Sequence, residues 1–209
     1  IHPEIGTLNT FFYLGIGFLF IVSLLAQCLC FPPDEWSSAN VITHSSATTV
    51  NPTIELSRHD MIRTRHFYAL WATYTIGCLA GLMAIGIASP VGIEVAKLEP
   101  TTAAFAISLF AIFNGLGRPL FGIIADKLGP KQTAMLSFAM IGGASLLLSG
   151  LEEGDTTLYL FAFCVLWLCL GGWLALAPTS TGIFFGKKHY AQNYGVVYTA
   201  YGVGAILGI

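Results

Sequence analysis

The sequence predicts an all-α membrane protein, and three observations support this fold class. Charged residues make up only 10% of the 209 residues and apolar residues 55%, whereas a soluble domain carries roughly a quarter charged residues. The mean hydropathy is +0.74. About six apolar runs of roughly 18 or more residues follow one another between short polar breaks, and each run is long enough for a helix to cross a bilayer.

Six membrane-spanning helices are expected, and the polar breaks give their approximate bounds. The predicted spans are residues 7–31, 66–89, 101–124, 132–150, 157–185 and 191–209. Helices satisfy their own backbone hydrogen bonds in lipid, which favours them over open strands. The first span is not interpreted as a signal peptide, because no Lys or Arg precedes it and it is too long for the apolar part of one.

Basic residues gather in alternate loops, and this pattern predicts the orientation. Because cytoplasmic loops are enriched in Lys and Arg, the loops richer in these residues are expected on the cytoplasmic side of the cell or inner membrane. Seven basic residues lie in one set of loops and one lies in the other. The seven are Arg58, Arg63, Arg65, Lys127, Lys131, Lys187 and Lys188, and the single one is Lys97, among acidic neighbours.

A polar segment joins the first span to the other five. Residues 32–52 are rich in Ser, Thr and Asn and carry no charge after Glu35, which is typical of a flexible connection. Ser57 and Asp60 have the spacing of a capping box, and Met61 lies among arginines, so a short interfacial helix is predicted before the second span. An arginine cluster that only anchors the topology is the alternative.

Cysteines and histidines do not indicate a metal site or a cofactor. The five cysteines lie in or at the ends of apolar spans without a Cys-x-x-Cys pair, and they are interpreted as packing residues. The five histidines are scattered, and none has metal-ligand spacing. Nucleophile, zinc-protease and phosphate-loop motifs are absent from the sequence. We therefore expect neither enzymatic activity nor a cofactor, and no nucleic-acid partner.

Arg118 is the one charged residue in the apolar stretch 101–125, and Pro119 follows it. A charge inside hydrocarbon is costly and indicates a function. A planar guanidinium suits a carboxylate. Asp126 at the end of the stretch is about eight residues, or roughly 12 Å, away along a helix, so the headgroups lie far from Arg118. The alternative role is structural, because Pro119 leaves the Gly115 carbonyl without its helical donor.

The segment 122–131 has the pattern Gly-x-x-x-Asp-x-x-Gly, with its key positions at Gly122, Asp126, Gly129 and Lys131. Between two membrane helices this pattern resembles the signature loop of the major facilitator superfamily. Five flanking sequences narrow the resemblance to the oxalate/formate antiporter family. They are CFPPDEW at 30–36, FYALW at 67–71, AGLM at 80–83, NGLGRP at 114–119 and NYG at 193–195.

The resemblance implies a fold of twelve helices in two six-helix halves, in which the six spans correspond to helices 6–11. Residues 1–31 are then the last helix of the N-terminal half, residues 32–65 the cytoplasmic central loop, and residues 66–209 five helices of the C-terminal half. On this interpretation the chain is a fragment, and its partners are the missing N-terminal half and the lipid bilayer. The implied function is secondary active transport of small organic anions by alternating access.

The resemblance also implies which residues bind the substrate. In the family an arginine on helix eight binds the substrate carboxylate, and the context of residues 114–119 places that arginine at Arg118, with Asn114 nearby. The family's oxalate transporter has a second cation, a lysine, where this chain has Tyr201, and Tyr198 keeps an aromatic residue of the pocket. One cation and one phenol suit a monocarboxylate better than a dicarboxylate.

Two further alternatives stay open at the level of the sequence. A dicarboxylate exchanger of the oxalate/formate type is one, and a non-transporting sensor or structural subunit with the same fold is the other. Coupling is also open, because no acidic residue lies within a predicted span. Proton symport and exchange for a counter-anion are both compatible with the chain.

Overall fold

The computed structural model describes residues 3–27 and 55–208. The predicted linker at residues 32–52 and the sequence CFPPDEW at 30–36 therefore lie outside the described residues. Residues 1–51 and 52–209 form two separate units, and the described part of the first unit is a single apolar helix, α1, Pro3–Ala26. The observed helix thus starts four residues before the predicted first span, 7–31.

The second unit consists of helices, and no strand occurs within the described residues. The helices are α2 Arg58–Ile62, α3 Arg65–Glu94, α4 Pro100–Leu128, α5 Pro130–Ser149, α6 Thr156–Phe185, α7 Tyr190–Val197 and α8 Thr199–Leu207. Together with α1, four of them (α3, α4, α5 and α6) are long and apolar enough to cross a membrane. Helix α6 packs against α3, α4 and α5, because it is apolar around its whole circumference. The predicted all-α membrane fold is confirmed.

The predicted sixth span is helical but broken. Helix α7 ends at Val197, α8 begins at Thr199, and Tyr198 lies between them. At this break the Tyr201 N–H donates to the Tyr198 carbonyl at 3.0 Å, a bond from residue i+3 to residue i. The Thr199 hydroxyl donates to the Val196 carbonyl at 2.7 Å and accepts from the Trp71 indole at 2.9 Å. Side-chain bonding of this kind to the backbone favours a local bend.

Glycines allow α4 and α6 to approach so closely that their backbones are in contact. A Cβ atom at Gly171 would overlap the Asn114 carbonyl oxygen, and one at Gly117 would overlap the Leu168 carbonyl oxygen. Close approach through small residues is the usual way in which membrane helices pack. The face of α4 that contains Gly117 is therefore fixed against α6. This contact determines which side chains of α4 point away from α6.

A second close contact joins α3 to α6. A Cβ atom at Gly77 would overlap the Trp173 indole, and one at Gly81 would meet the Leu170 Cβ. Trp173 is only 1% exposed, and it also packs on the rings of Tyr74 and Phe138. Trp173 is therefore a core residue of the bundle.

The basic and acidic loops lie at opposite ends of the bundle. At one end the Leu56 N–H donates to the Phe185 carbonyl at 3.0 Å, and the Lys188 N–H donates to the Glu55 carboxylate at 2.8 Å. At the other end the Gly154 N–H donates to the Val95 carbonyl at 2.9 Å. We call the first end the signature-loop end, because the segment 122–131 also lies there. This arrangement agrees with the alternating loops of the sequence, whereas the cytoplasmic orientation stays a prediction.

Ser57 caps the predicted helix, although the Asp60 carboxylate accepts from the Ser57 hydroxyl at 2.6 Å and the reciprocal bond of a capping box is not seen among the described residues; the helix itself is not simply interfacial. Ser57 is the N-cap of α2, and its hydroxyl oxygen accepts from the Asp60 N–H at 3.3 Å. Met61 is fully buried in a hydrophobic cluster that includes Phe185 and Val197. Helix α2 therefore packs on α7 and on the start of α3, because the apolar Met61 side chain finds more contacts there than at a lipid headgroup.

Candidate functional site

Helix α4 carries Arg118 on a face that stays exposed among residues 55–208. Gly117 faces α6, whereas the neighbouring Arg118 is exposed, because consecutive helical residues point about 100° apart. Within the described residues Arg118 takes part in no ion pair and no hydrogen bond; the ion pair formed there is between Lys97 and Glu153, at 3.6 Å. The proposed structural role, donation to the Gly115 carbonyl, is not adopted.

Two of the predicted site residues lie beside each other, and one of them lies near Arg118. The rings of Tyr198 and Tyr201 stack, with centroids 5.4 Å apart and an interplanar angle of 6°. Arg118 is the cation whose charge acts on the Tyr201 phenol. Tyr198 is 44% exposed. A free cation on α4 and two phenols at the start of α8 are groups that can together bind a carboxylate.

Asn114, the fourth predicted site residue, is already engaged in helix packing. Its amide nitrogen donates to the Trp167 carbonyl at 3.2 Å, and its backbone faces Gly171. The side chain is half-buried. Asn114 fixes the register of α4 against α6 one turn before Arg118, so the geometry favours a positioning role over direct contact with a ligand.

The signature loop, residues 122–131, is mostly helical, whereas the sequence suggested a loop between two helices. Helix α4 continues through Gly122 and Asp126 to Leu128, and Gly129 alone separates it from α5. Gly129 has φ 83°, a conformation that glycine adopts without steric cost, so the chain reverses in one residue. Asp126 is exposed and does not cap α5, which has no side-chain cap. Lys131 is exposed in the first turn of α5.

A cavity of about 840 Å³ opens at the signature-loop end. Asp126 of α4 contributes to its wall, together with residues of α6, the turn after it and the start of α7. The lining residues are Glu55, Asp126, Pro178, Thr179, Gly182, Ile183, Gly186, Lys187 and Tyr190. This cavity is large enough for a small organic molecule.

Three aromatic residues that connect to Tyr198 through ring contacts were not selected from the sequence. Tyr190 and Tyr194 stack on each other at 5.9 Å, Tyr194 contacts Tyr198 at 5.7 Å, and the buried Tyr74 lies 6.5 Å from Tyr198. Tyrosines at 190, 194, 198 and 201 have the spacing of one helical face, so this signal was present in the sequence. No such signal was present for Tyr74, because Tyr74 lies on α3 and joins the group only through helix packing.

Cysteine packing agrees with the sequence where the structure describes it. Cys78, Cys164 and Cys169 are buried and free, and Cys28 and Cys30 lie outside the described residues. Among residues 3–27 and 55–208, no three His, Cys, Asp or Glu side chains come together in a way that could hold a metal ion. The site that the described residues offer is therefore built from one guanidinium and several phenols.

Comparison with known proteins assigns the fold to a family. The sequence model of the Major Facilitator Superfamily matches residues 4–209, nearly the whole chain. Among curated proteins, the chain is 28% identical over 205 residues to the uncharacterized MFS-type transporter YhjX of Escherichia coli strain K12, which covers 97% of this chain and 48% of that protein.

Two other relatives have named substrates. The chain is 23% identical over 203 residues to the oxalate:formate antiporter of Oxalobacter formigenes, with 97% of this chain and 46% of that protein covered. It is 29% identical over 131 residues to the riboflavin transporter RibZ of Clostridioides difficile strain 630, with 58% and 28% covered. The chain spans about half the length of the first two relatives.

Proposed function

The chain belongs to the major facilitator superfamily of membrane transporters, and we propose that it supplies the carboxylate-binding residues of a carrier for small organic anions, monocarboxylates in particular. Arg118 binds the carboxylate. Tyr201 and Tyr198 donate hydrogen bonds and provide a ring surface, and Asn114 holds α4 in register. The segment with Gly122, Asp126, Gly129 and Lys131 contributes to the conformational change of alternating access.

One observation carries this proposal most directly: Arg118 is charged, lies in an apolar helix and has no ionic partner in the described part of the chain. An unpaired charge inside a membrane helix marks a substrate or ion pathway more often than a structural contact. Transporters place their binding sites near the bilayer midplane, and Arg118 lies about one turn from the middle of α4, Pro100–Leu128. A carboxylate would supply the missing counter-charge in bidentate geometry.

The preference for one carboxylate follows from the neighbour of Arg118. The Arg118 charge acts on the phenol of Tyr201, a side chain that is neutral and can donate one hydrogen bond. A second carboxylate of a dicarboxylate would have to be desolvated against that neutral group, which is costly. Charges from segments outside this chain could change that balance, and they would also determine whether protons or a counter-anion are coupled to transport.

The domain arrangement is part of the same proposal. Residues 1–31 form the last helix of an N-terminal half, residues 32–65 the central connection, and residues 66–209 five helices of a C-terminal half. The signature-loop end, where the basic residues gather, faces the cytoplasm. The twelve-helix layout of the superfamily and the share of each relative that the chain covers support this arrangement.

The substrate class is tested by uptake into liposomes that contain the complete gene product with this chain. Labelled acetate, lactate and benzoate are compared with oxalate and riboflavin. We expect saturable uptake of at least one monocarboxylate with a KM about tenfold or more below that of oxalate, since the missing second cation is worth that much or more. Preferred uptake of oxalate would support the dicarboxylate exchanger, and saturable uptake of none of the anions would contradict the proposal.

Restoring a second cation should change the specificity. In the variant Tyr201→Lys, the ammonium group adds a partner for a second carboxylate beside Arg118, so we expect the KM for oxalate to fall about tenfold or more relative to that for acetate. Competition of unlabelled oxalate with labelled acetate measures this shift. The matched control is Tyr201→Phe, which removes the hydroxyl without adding a charge and should not favour oxalate. Equal competition in both variants would place Tyr201 outside the binding site.

A further inference from the structure

Four tyrosines form a continuous row along α7 and α8, which starts at the cavity at the signature-loop end and ends at Tyr201. The ring centroids are 5.9 Å apart for Tyr190 and Tyr194, 5.7 Å for Tyr194 and Tyr198, and 5.4 Å for Tyr198 and Tyr201. We call these residues the tyrosine row. Tyr190 lines the cavity, and Tyr201, at the other end of the row, is the member on which the Arg118 charge acts.

The tyrosine row is not used for packing alone. Tyr190, Tyr194 and Tyr201 are half-buried, and Tyr198 is exposed. By contrast, the buried Tyr159 in the other core cluster donates its hydroxyl to the Ala88 carbonyl at 2.7 Å. Among the described residues the hydroxyls of Tyr190, Tyr198 and Tyr201 have no such acceptor. The row therefore presents free donors along one side of the helix pair.

A fifth tyrosine provides an independent observation. Tyr74 of α3 is fully buried, and its hydroxyl has no well-formed hydrogen bond within the described residues. It lies beside the phenols of Tyr194 and Tyr198. Buried polar side chains without a partner are few in native proteins, and each one calls for an explanation. A ligand that accepts hydrogen bonds from this group of phenols would be such an explanation.

The charges at the cavity do not hold an anion by themselves. Lys187 attracts a carboxylate, whereas Glu55 and Asp126 repel it. The Glu55 carboxylate is partly compensated, because it accepts from the Lys188 N–H at 2.8 Å. Neutral phenol donors bind an anion more weakly than a guanidinium does, and a transport path needs sites from which the ion can leave as well as bind.

We propose that the hydroxyls of Tyr190, Tyr194 and Tyr74 form a second carboxylate-binding stage between the cavity and Arg118. An organic anion that passes through the signature-loop end is held by these phenols before it binds Arg118, or after it is released. This inference rests on the proposed function, since it takes the substrate to be a carboxylate that Arg118 binds. It adds a site that acts on one side of the membrane only.

The test uses Tyr190→Phe and Tyr194→Phe, singly and together, in the complete gene product reconstituted in vesicles of both orientations. Each change removes one hydroxyl and keeps the ring. The probe is whichever of acetate, lactate and benzoate the unmodified protein takes up best. We expect the KM at the signature-loop side to rise about tenfold in each single variant, since each loses a hydrogen bond to a charged group. The KM at the opposite side should change less than about twofold.

Two control variants separate this effect from a loss of folding. Tyr68→Phe alters an exposed tyrosine outside the tyrosine row and should leave both KM values unchanged. Tyr159→Phe removes a structural hydrogen bond, so it should lower the thermal unfolding midpoint without a one-sided change in KM. If the row variants shift the KM equally on both sides, or not at all, the second stage does not exist. Loss of uptake in Arg118→Gln in the same assay would leave the proposed function standing, and full uptake in that variant would remove both proposals.

Discussion

Replacing Arg118 by glutamine is expected to abolish saturable organic-anion uptake by the complete gene product. Glutamine is neutral, so it keeps hydrogen-bonding atoms but loses the charge that compensates a carboxylate. Leaving a buried anion without its cation costs about 3–5 kcal/mol, which corresponds to a loss of roughly two to four orders of magnitude in affinity. Uptake should therefore fall to the non-saturable background.

Folding should be unaffected by the same change, because Arg118 contributes no contact that the bundle needs. It is exposed, and it forms no ion pair or hydrogen bond with any residue in 3–27 or 55–208. Removing an uncompensated charge from an apolar helix can even be favourable. The thermal unfolding midpoint of Arg118→Gln should therefore equal or exceed that of the unmodified protein.

Two further variants sharpen the measurement of anion uptake. Arg118→Lys keeps the charge and loses the planar fork, so partial uptake with a raised KM is expected. Arg63→Gln removes an exposed charge at the C-cap of α2 and serves as the matched control with unchanged uptake. Normal uptake by Arg118→Gln, with the protein folded, would mean that Arg118 does not bind the substrate.

The fold was predictable from the sequence because lipid imposes simple requirements. The ends of α3, α4, α5 and α6 lie within a few residues of the predicted spans, since each polar break coincides with a helix end. The break at Tyr198 was not predicted. It depends on the hydrogen bond between Trp71 and Thr199, two residues 128 positions apart, and no local pattern reports such a contact.

The candidate site was predictable only in part, for a similar reason. Arg118 could be identified from the sequence alone, because a charge in an apolar helix has few structural explanations. The engagement of Asn114 with Trp167 and the burial of Tyr74 depend on how two helices pack. The continuation of α4 through Asp126 depends on Gly129, whose positive φ makes a longer loop unnecessary.

The variant Gly171→Ala is expected to destabilise the bundle strongly, although alanine is the better helix former. A Cβ atom at Gly171 overlaps the Asn114 carbonyl oxygen, and further Asn114 backbone atoms lie nearby. Because these are backbone atoms, no side-chain rotation relieves the overlap, and α4 must move away from α6. Overpacking typically costs about 1–3 kcal/mol. That cost exceeds the roughly 1 kcal/mol that alanine gains over glycine in a helix.

Displacement of α4 should also reduce transport, because Arg118 lies one turn beyond the contact between Asn114 and Gly171. Thermal unfolding in detergent and anion uptake are the two measurements, and both should fall for Gly171→Ala. Gly143→Ala on α5 is the matched control, since a Cβ atom there meets nothing within 4 Å and should leave stability unchanged or slightly higher. If the two variants unfold at the same temperature, the backbone contact between α4 and α6 does not limit the stability of the bundle, and the position of Arg118 is fixed by other contacts.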